Sequence, residues 1–340
     1  MEGGGVVGQF IQFAINGLMS GAIYALIAVG IVSVYKATKV VNFAHGYLIM
    51  FGAYFYFTFS VIVPGQEWAP AWLANWQPEW MITMKGDLPM FSPVAAVLDW
   101  LSNVPRIILG LVGALLCNAV LGRIIERVLM RPLMGQSVFA MIMVTVGLIS
   151  ILSGGAQLIW TADAASVPYI APNMPIRFEL FGTMIFLFGT DLVNMIVALL
   201  LFGGIVAFVK FTKGGIAIRA TAEDQSTAYS MGISVPKVFS RAWVLASTTG
   251  AIAGAILATR NGISPSLGLF GFSVLAIVLM GGLDSYVGVL IAAMTVGVLE
   301  AMTQWKMGGS WAEIVPYVTV LVVLVWRPHG LMGQKEVERI

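Results

Sequence analysis

The chain has 340 residues, of which 59% are hydrophobic and 10% charged, with a mean hydropathy of +0.92, a formal net charge of +2 and one cysteine. About a quarter of a soluble domain is charged, so a water-soluble core, a disordered chain, a disulfide scaffold and a nucleic-acid-binding face are excluded. The composition is that of a polytopic membrane protein.

A helix needs about 20 apolar residues to cross the hydrocarbon core. The apolar runs predict eight or nine crossings, at 9–35, 46–63, 106–126, 136–160, 190–211, 238–259, 271–284, 286–305 and 311–327, the seventh being short for a span. Backbone groups in lipid have to be satisfied within their own segment, so continuous apolar runs mean helices and not barrel strands. The expected class is an all-α polytopic membrane protein, a bundle of 8–9 transmembrane helices with broken helices, in one transmembrane domain over residues 1–340.

The first run has nothing basic before it and is too long for a signal-peptide core, so a retained helix is expected. Lys36 and Lys39 follow it. The positive-inside rule makes that end cytoplasmic and puts the N-terminus outside. Alternation then leaves thirteen Lys and Arg inside, and only Lys85, Arg106, Arg177, Arg260 and Lys306 outside, with the C-terminus inside. Gly17 and Gly21 in the first run and Gly250 and Gly254 in the sixth are G-x-x-x-G pairs, read as helix-packing positions, with a pore-lining role as the alternative.

Three stretches interrupt the apolar rhythm. Residues 36–46, K-A-T-K-V-V-N-F-A-H-G, hold Asn42, Phe43, His45 and Gly46 directly before the second run. Asn42 is suited to capping the next helix, and Gly46 permits a break or a close backbone approach. A broken helix here turns backbone groups and the imidazole toward a cavity, as at transporter sites; the alternative is a cytoplasmic cap with His45 among the headgroups. Residues 64–105, placed outside, carry Trp68, Trp72, Trp76, Trp80 and Trp100 among Pro64, Pro70, Pro78, Pro89 and Pro93, with a short helix expected at 71–76. The tryptophans read as an interfacial belt or as a docking surface. In the cytoplasmic loop 212–237, Thr221 followed by Asp224 reads as a capping box, with Gly232 and Pro236 as the stop. The three-turn helix this predicts sets Asp224, Ala228 and Met231 on one face, either idle or suited to a groove on another protein.

No G-x-x-x-x-G-K-[S/T] sequence is present, so no nucleotide site is expected in this chain. Gly3 to Gly8 match G-x-G-x-x-G by chance, with no strand before them. Two histidines and Cys117 make neither a metal cluster nor a nucleophile triad, so no catalytic residue, metal or cofactor is assigned. Glu126 and Glu300 are acids within the runs, both near span ends. Glu300 pairs with Arg260, Lys306 or another chain, or, on the simplest reading, snorkels outward.

Seven segments together resemble the first-permease type of the branched-chain amino acid ABC importers. They are G-A-I-Y-A-L-I-A-V-G from Gly21 with V-N-F-A-H-G from Val41, R-P-L-M-G-Q from Arg131 with T-V-G-L from Thr145, R-A-T-A-E-D-Q-S-T-A-Y-S-M-G-I from Arg219, V-L-M-G-G-L-D-S-Y-V-G from Val278, and V-L-E from Val298. The resemblance implies a multi-pass permease of the bacterial cytoplasmic (inner) membrane. It implies a second permease subunit, two cytoplasmic ATPase subunits that hold ATP and Mg, and an extracytoplasmic solute-binding protein. It makes 212–237 a coupling loop, with Glu223, Ala228, Gly232 and Ile233 at the ATPase contact, and Gly281 and Gly282 a late break on the translocation path. Residues 64–105 look like an insertion relative to shorter relatives. The expected function is half of a path for branched-chain or other small amino acids, with the breaks at 42–46 and 280–285 facing one another around a carboxylate. Permeases for urea and short-chain amides are close relatives and stand as the alternative, with a stand-alone secondary transporter or channel beyond them.

Overall fold

The computed structural model describes residues 2–66, 69–70, 73, 76–86, 93–180 and 183–333. Trp68, Trp72, Pro89, Lys335, Arg339 and most of the expected helix at 71–76 lie outside the described residues.

The long helices are α1 (Glu2–Thr38), α2 (His45–Phe57, prolonged by a π turn at Thr58–Ile62), and, after the short α3 (Glu79–Gly86), α4 (Pro93–Ile125) and α5 (Val138–Trp160). A hairpin of β1 (Pro175–Leu180) and β2 (Thr183–Phe188) leads into α6 (Gly189–Phe211). Two short helices follow, α7 (Lys213–Glu223) and α8 (Gln225–Ser230), then α9 (Val235–Asn261), a 3-10 turn at Pro265–Leu269, α10 (Phe270–Gly281), α11 (Tyr286–Met307), α12 (Gly309–Ala312) and α13 (Val315–Trp326). Among the described residues eight helices are long and apolar enough to cross a membrane, and the hairpin is the one sheet.

The expected seventh crossing is corrected. Its helix ends at Gly281 because Gly282 takes φ +107, and α10 is 12 residues long. That is about 18 Å at 1.5 Å per residue, against roughly 30 Å of hydrocarbon. The start of α4 is also corrected: the helix runs through Pro105 and begins at Pro93, so residues 93–105 of the expected loop are helical. Proline removes one donor and bends a helix without ending it when neighbouring turns hold.

α1 is the central post, packed along α11, α9 and α6, and α13 is the least covered helix. The glycine contact with α11 shows why: a Cβ on Gly17 would stand 2.6 Å from the Gly297 carbonyl oxygen, and one on Gly21 2.7 Å from that of Ala293. Backbones this close maximise dispersion where lipid supplies no hydrophobic drive. On α9 it is Gly254 whose Cβ would collide with Ile49 and Ala53 of α2, while Gly250 has ordinary room. Asn118 of α4 ties these two helices together, donating to the carbonyls of Leu48 at 3.0 Å and Ser247 at 2.7 Å.

The bundle has a basic end, where α1 ends and α7 and α8 lie, and a hairpin end. At the hairpin end the Gln12 amide donates to the Phe186 carbonyl and accepts its N–H at 2.7 Å, closing the free edge of β2 against α1. Trp100 donates to the Ile170 carbonyl at 2.9 Å, and Trp76 is exposed. Near the basic end the buried Glu126 takes a two-armed bond from Arg131, at 3.0 and 3.2 Å.

Candidate functional site

The first break follows from a stop and a restart. Thr38 turns its hydroxyl back to the Val34 carbonyl, Lys39 takes φ +57, and the chain runs without helix to Ala44. Asn42 Oδ1 accepts from the Ala44 N–H at 3.0 Å, so Asn42 closes an Asx turn ahead of α2 instead of capping the helix itself. α2 therefore begins inside the bundle. His45 lies against Gly30, where a Cβ would stand 2.7 Å from its Cε1, and against Thr249 near the middle of α9. Gly30 is eight residues from the end of α1, about 12 Å deep. His45 is 1% exposed, which replaces the headgroup reading.

Three polar atoms of this break have no hydrogen-bond partner: Asn42 Nδ2 and both ring nitrogens of His45. The Ile27 backbone approaches the ring without the alignment of a bond. Orphaned buried groups of this kind cost roughly 1–3 kcal/mol each. Asn42 faces a space of about 10 Å³ shared with Thr145, Phe239 and Trp243, room for one water.

The late break is built differently. Gly281 packs on Gly288 and Val289, and Gly282 against Gly333 and Met332. The C-terminal segment pins it through Leu331 N–H to the Met280 carbonyl at 2.8 Å and Met332 N–H to that of Gly281 at 3.1 Å. Ser285 caps α11 by accepting from Gly288 N–H at 3.1 Å. The expected meeting of the two breaks is corrected: Gly46 meets Gly268 and Gly271, at the start of α10, and Gly281 and Gly282 lie at its other end. α2 and the short α10 thus begin against each other, with their N-termini in contact.

The far side of that same turn, Leu269 and Phe270, lines a cavity of about 1090 Å³, open at the hairpin end between α1, α11 and α13. Asn42, Phe43, His45, Gly46, Gly281 and Gly282 are not among its lining residues. Its walls carry Asn16, Ser20 and Tyr24 from α1, Glu300 and Gln304 from α11, and Arg260 from the end of α9. Tyr24 donates to Glu300 Oε2 at 2.7 Å. Arg260 Nε pairs with Asp191 at 3.1 Å and its Nη1 donates to Ser20 at 3.2 Å. Glu300 therefore turns inward to α1, which replaces the outward snorkel. The signal was present in the sequence: Gln12, Asn16, Ser20 and Tyr24 recur every four residues, a polar stripe along one face of an apolar helix.

At the basic end the three-turn helix is corrected to two pieces. Thr221 returns its hydroxyl to the Ala217 carbonyl, and Asp224 itself caps α8, accepting from Thr227 N–H at 2.8 Å and from the Ser226 hydroxyl at 2.7 Å. A carboxylate offered three residues ahead of a free N–H is a better cap than a mid-helix turn partner. These bonds, the Thr227 N–H first, hold the exposed Asp224 carboxyl below its usual range. Gly232 at φ +84 and the bond from Ile233 N–H to the Ala228 carbonyl at 3.0 Å stop the helix as expected. Ala228 is buried; the residues presented outward are Tyr229 at 71% and Met231 at 79%. Glu223 is the last residue of α7, and Ile233 packs on a small core of Ala37, Ile218, Val238 and Phe239. Phe239 also lines the space next to Asn42, so one set of contacts joins Ile233, just after α8, to the first break.

Residues 13–324 match the family described as branched-chain amino acid transport system / permease component. The chain is 26% identical to the high-affinity branched-chain amino acid transport system permease protein BraD of Pseudomonas aeruginosa, over 98% of each. It is 27% identical to the LivH permease protein of the same kind of system in Escherichia coli K12, over 97% of this chain and 98% of that one. The LivM permease protein of Escherichia coli K12 is 30% identical over 122 residues, 35% of this chain and 28% of that one. No solved structure matches.

Proposed function

The chain belongs to the branched-chain amino acid transport system permease family, and from that membership we propose that it forms half of the translocation path of an ABC importer for branched-chain amino acids. A second, homologous permease completes the path, two ATPase chains bind at the basic end, and a solute-binding protein delivers the amino acid at the hairpin end. The basic end is then cytoplasmic and the hairpin end, with both the N-terminus and the cavity mouth, extracytoplasmic, which agrees with the distribution of Lys and Arg.

The observation that carries this reading is the α8 knob. A capped six-residue helix followed by an exposed methionine, carrying an exposed tyrosine and tied through the Ile233 to Ala228 bond to a core that reaches the first break, is a surface that a stand-alone channel or secondary transporter has no use for. The polar cavity is the outer vestibule. The Gly46 to Gly271 contact, with His45 behind it, is the closure beneath, and displacement of α8 by ATPase closure moves Ala37 and Phe239 and loosens it. ATP and Mg belong to the partner chains.

The test is purification of the tagged chain from gently solubilised membranes, with mass spectrometry of its partners and a vanadate-sensitive ATPase assay. The expected result is an ATPase chain and a second permease, with the ATPase chain lost on Met231→Glu. A lone chain after crosslinking, without ATPase activity, contradicts the proposal.

A further inference from the structure

The large cavity contains one arrangement that a mere water-filled vestibule does not need. Arg260 and Glu300 are opposite charges whose side chains are each only half engaged. Arg260 uses Nε on Asp191 and Nη1 on Ser20, and its Nη2 has no acceptor among the described residues. Glu300 uses Oε2 on Tyr24, and its Oε1 has no donor among the described residues. The two anchors, Ser20 and Tyr24, are one turn apart on the same face of α1, about 6 Å along the axis. Ion pairing between Arg260 and Glu300 themselves would satisfy both, yet each is held toward its own anchor.

We propose that this corner is a binding site for an α-amino acid zwitterion, with the carboxylate on Arg260 and Ser20 and the ammonium on Glu300. A carboxylate and an ammonium on one carbon lie roughly 3 Å apart, and a hydrogen bond of about 2.9 Å at each side reaches up to about 9 Å when aligned and less when bent, a range that covers anchors about 6 Å apart. Phe13, Leu269, Phe270 and Ile314 line the same cavity and offer an apolar wall for a branched aliphatic side chain. At about 1090 Å³ the whole space exceeds what one small solute fills; the site is this corner of it. Tyr24 is a positioning residue: its hydroxyl fixes the Glu300 carboxylate so that one oxygen stays free. The proposal rests on the importer reading and adds to it that the permease itself recognises the amino acid after the binding protein releases it.

The experiment uses the complete detergent-solubilised complex without its binding protein, and radiolabelled L-leucine competed by isoamylamine, which lacks the carboxylate, and by 4-methylpentanoate, which lacks the ammonium. The proposal expects leucine to bind and each analogue to compete at least about tenfold more weakly, since each leaves one of the two charges of the corner without its partner. Glu300→Gln is expected to erase the preference over 4-methylpentanoate and keep that over isoamylamine. Arg260→Lys is expected to do the reverse, and Tyr24→Phe to weaken leucine a few-fold. Equal competition by the analogues, no leucine binding to the complex, or unchanged preferences in both variants overturns it. Should Arg260→Lys fail to assemble because Asp191 loses its Nε partner, Glu300→Gln and the wild-type analogue series still decide. A complex that hydrolyses ATP and transports leucine while these preferences are absent refutes the site and leaves the importer standing. A chain without ATPase partners that shows the preferences refutes the importer and keeps the site.

Discussion

The two breaks in this bundle are made of similar residues and built to opposite ends. At 282–285 the carbonyls freed by the end of α10 are taken by Leu331 and Met332, and Ser285 caps the helix that follows. At 39–44 one Asx bond closes the turn, and Asn42 Nδ2 and both nitrogens of His45 remain without partners 1–2% exposed. A joint whose polar groups are satisfied has no second arrangement that gains hydrogen bonds; one with orphaned groups does. The comparison separates a structural elbow from a closure poised to open.

The largest expected effect is Gly46→Val. Its side chain would enter the Gly268 carbonyl and the Gly271 backbone, where no rotamer escapes, and unfolding is expected to be easier by about 3 kcal/mol or more, read as lost folded protein in detergent. Near-normal yield would mean that α2 and α10 do not meet as described. Next is Gly282→Ala, which places a Cβ at φ +107 and 2.6 Å from Gly333 N. A loss of about 1–3 kcal/mol is expected, with transport per assembled complex unchanged. A variant that folds well but does not transport would give the late break a working role and dissolve the contrast. The smallest lies outside both breaks. Asp224→Ala should fray α8 and reduce ATPase copurification a few-fold, while Asp224→Asn, which still caps, should not. The folded carboxyl is held low, so its contribution is complete above the ordinary carboxylate value of about 4 and is lost only as pH falls through the lowered one. ATPase association should therefore be flat from pH 8 to 5, and a fall near pH 6 would assign the contact to another group.

Much of the fold was legible because hydropathy reports lipid and interior burial alike. That same blindness hid which helix is central: α1 and α13 are both apolar, and one is buried while the other is bare. Gly17, Gly21 and Gly254 could be read as packing positions, since close backbone approach has few other uses. Which backbones approach could not: the sequence sets 42–46 against 280–285, whereas Gly46 meets Gly271. The stop at Gly232 was readable from one residue, whereas the start at Asp224 depended on a competition between two caps. The cavity went unread although Gln12, Asn16, Ser20 and Tyr24 mark it, because a span that is apolar on average hides a stripe.

The most direct test of the closure is ATP-driven uptake of radiolabelled leucine in proteoliposomes holding the full complex, normalised to assembled protein, for His45→Ala beside Gly282→Ala. The account predicts that His45→Ala loses at least about tenfold of uptake with its ATPase subunits still bound, while Gly282→Ala transports at the wild-type rate per complex. Wild-type uptake by His45→Ala would contradict it.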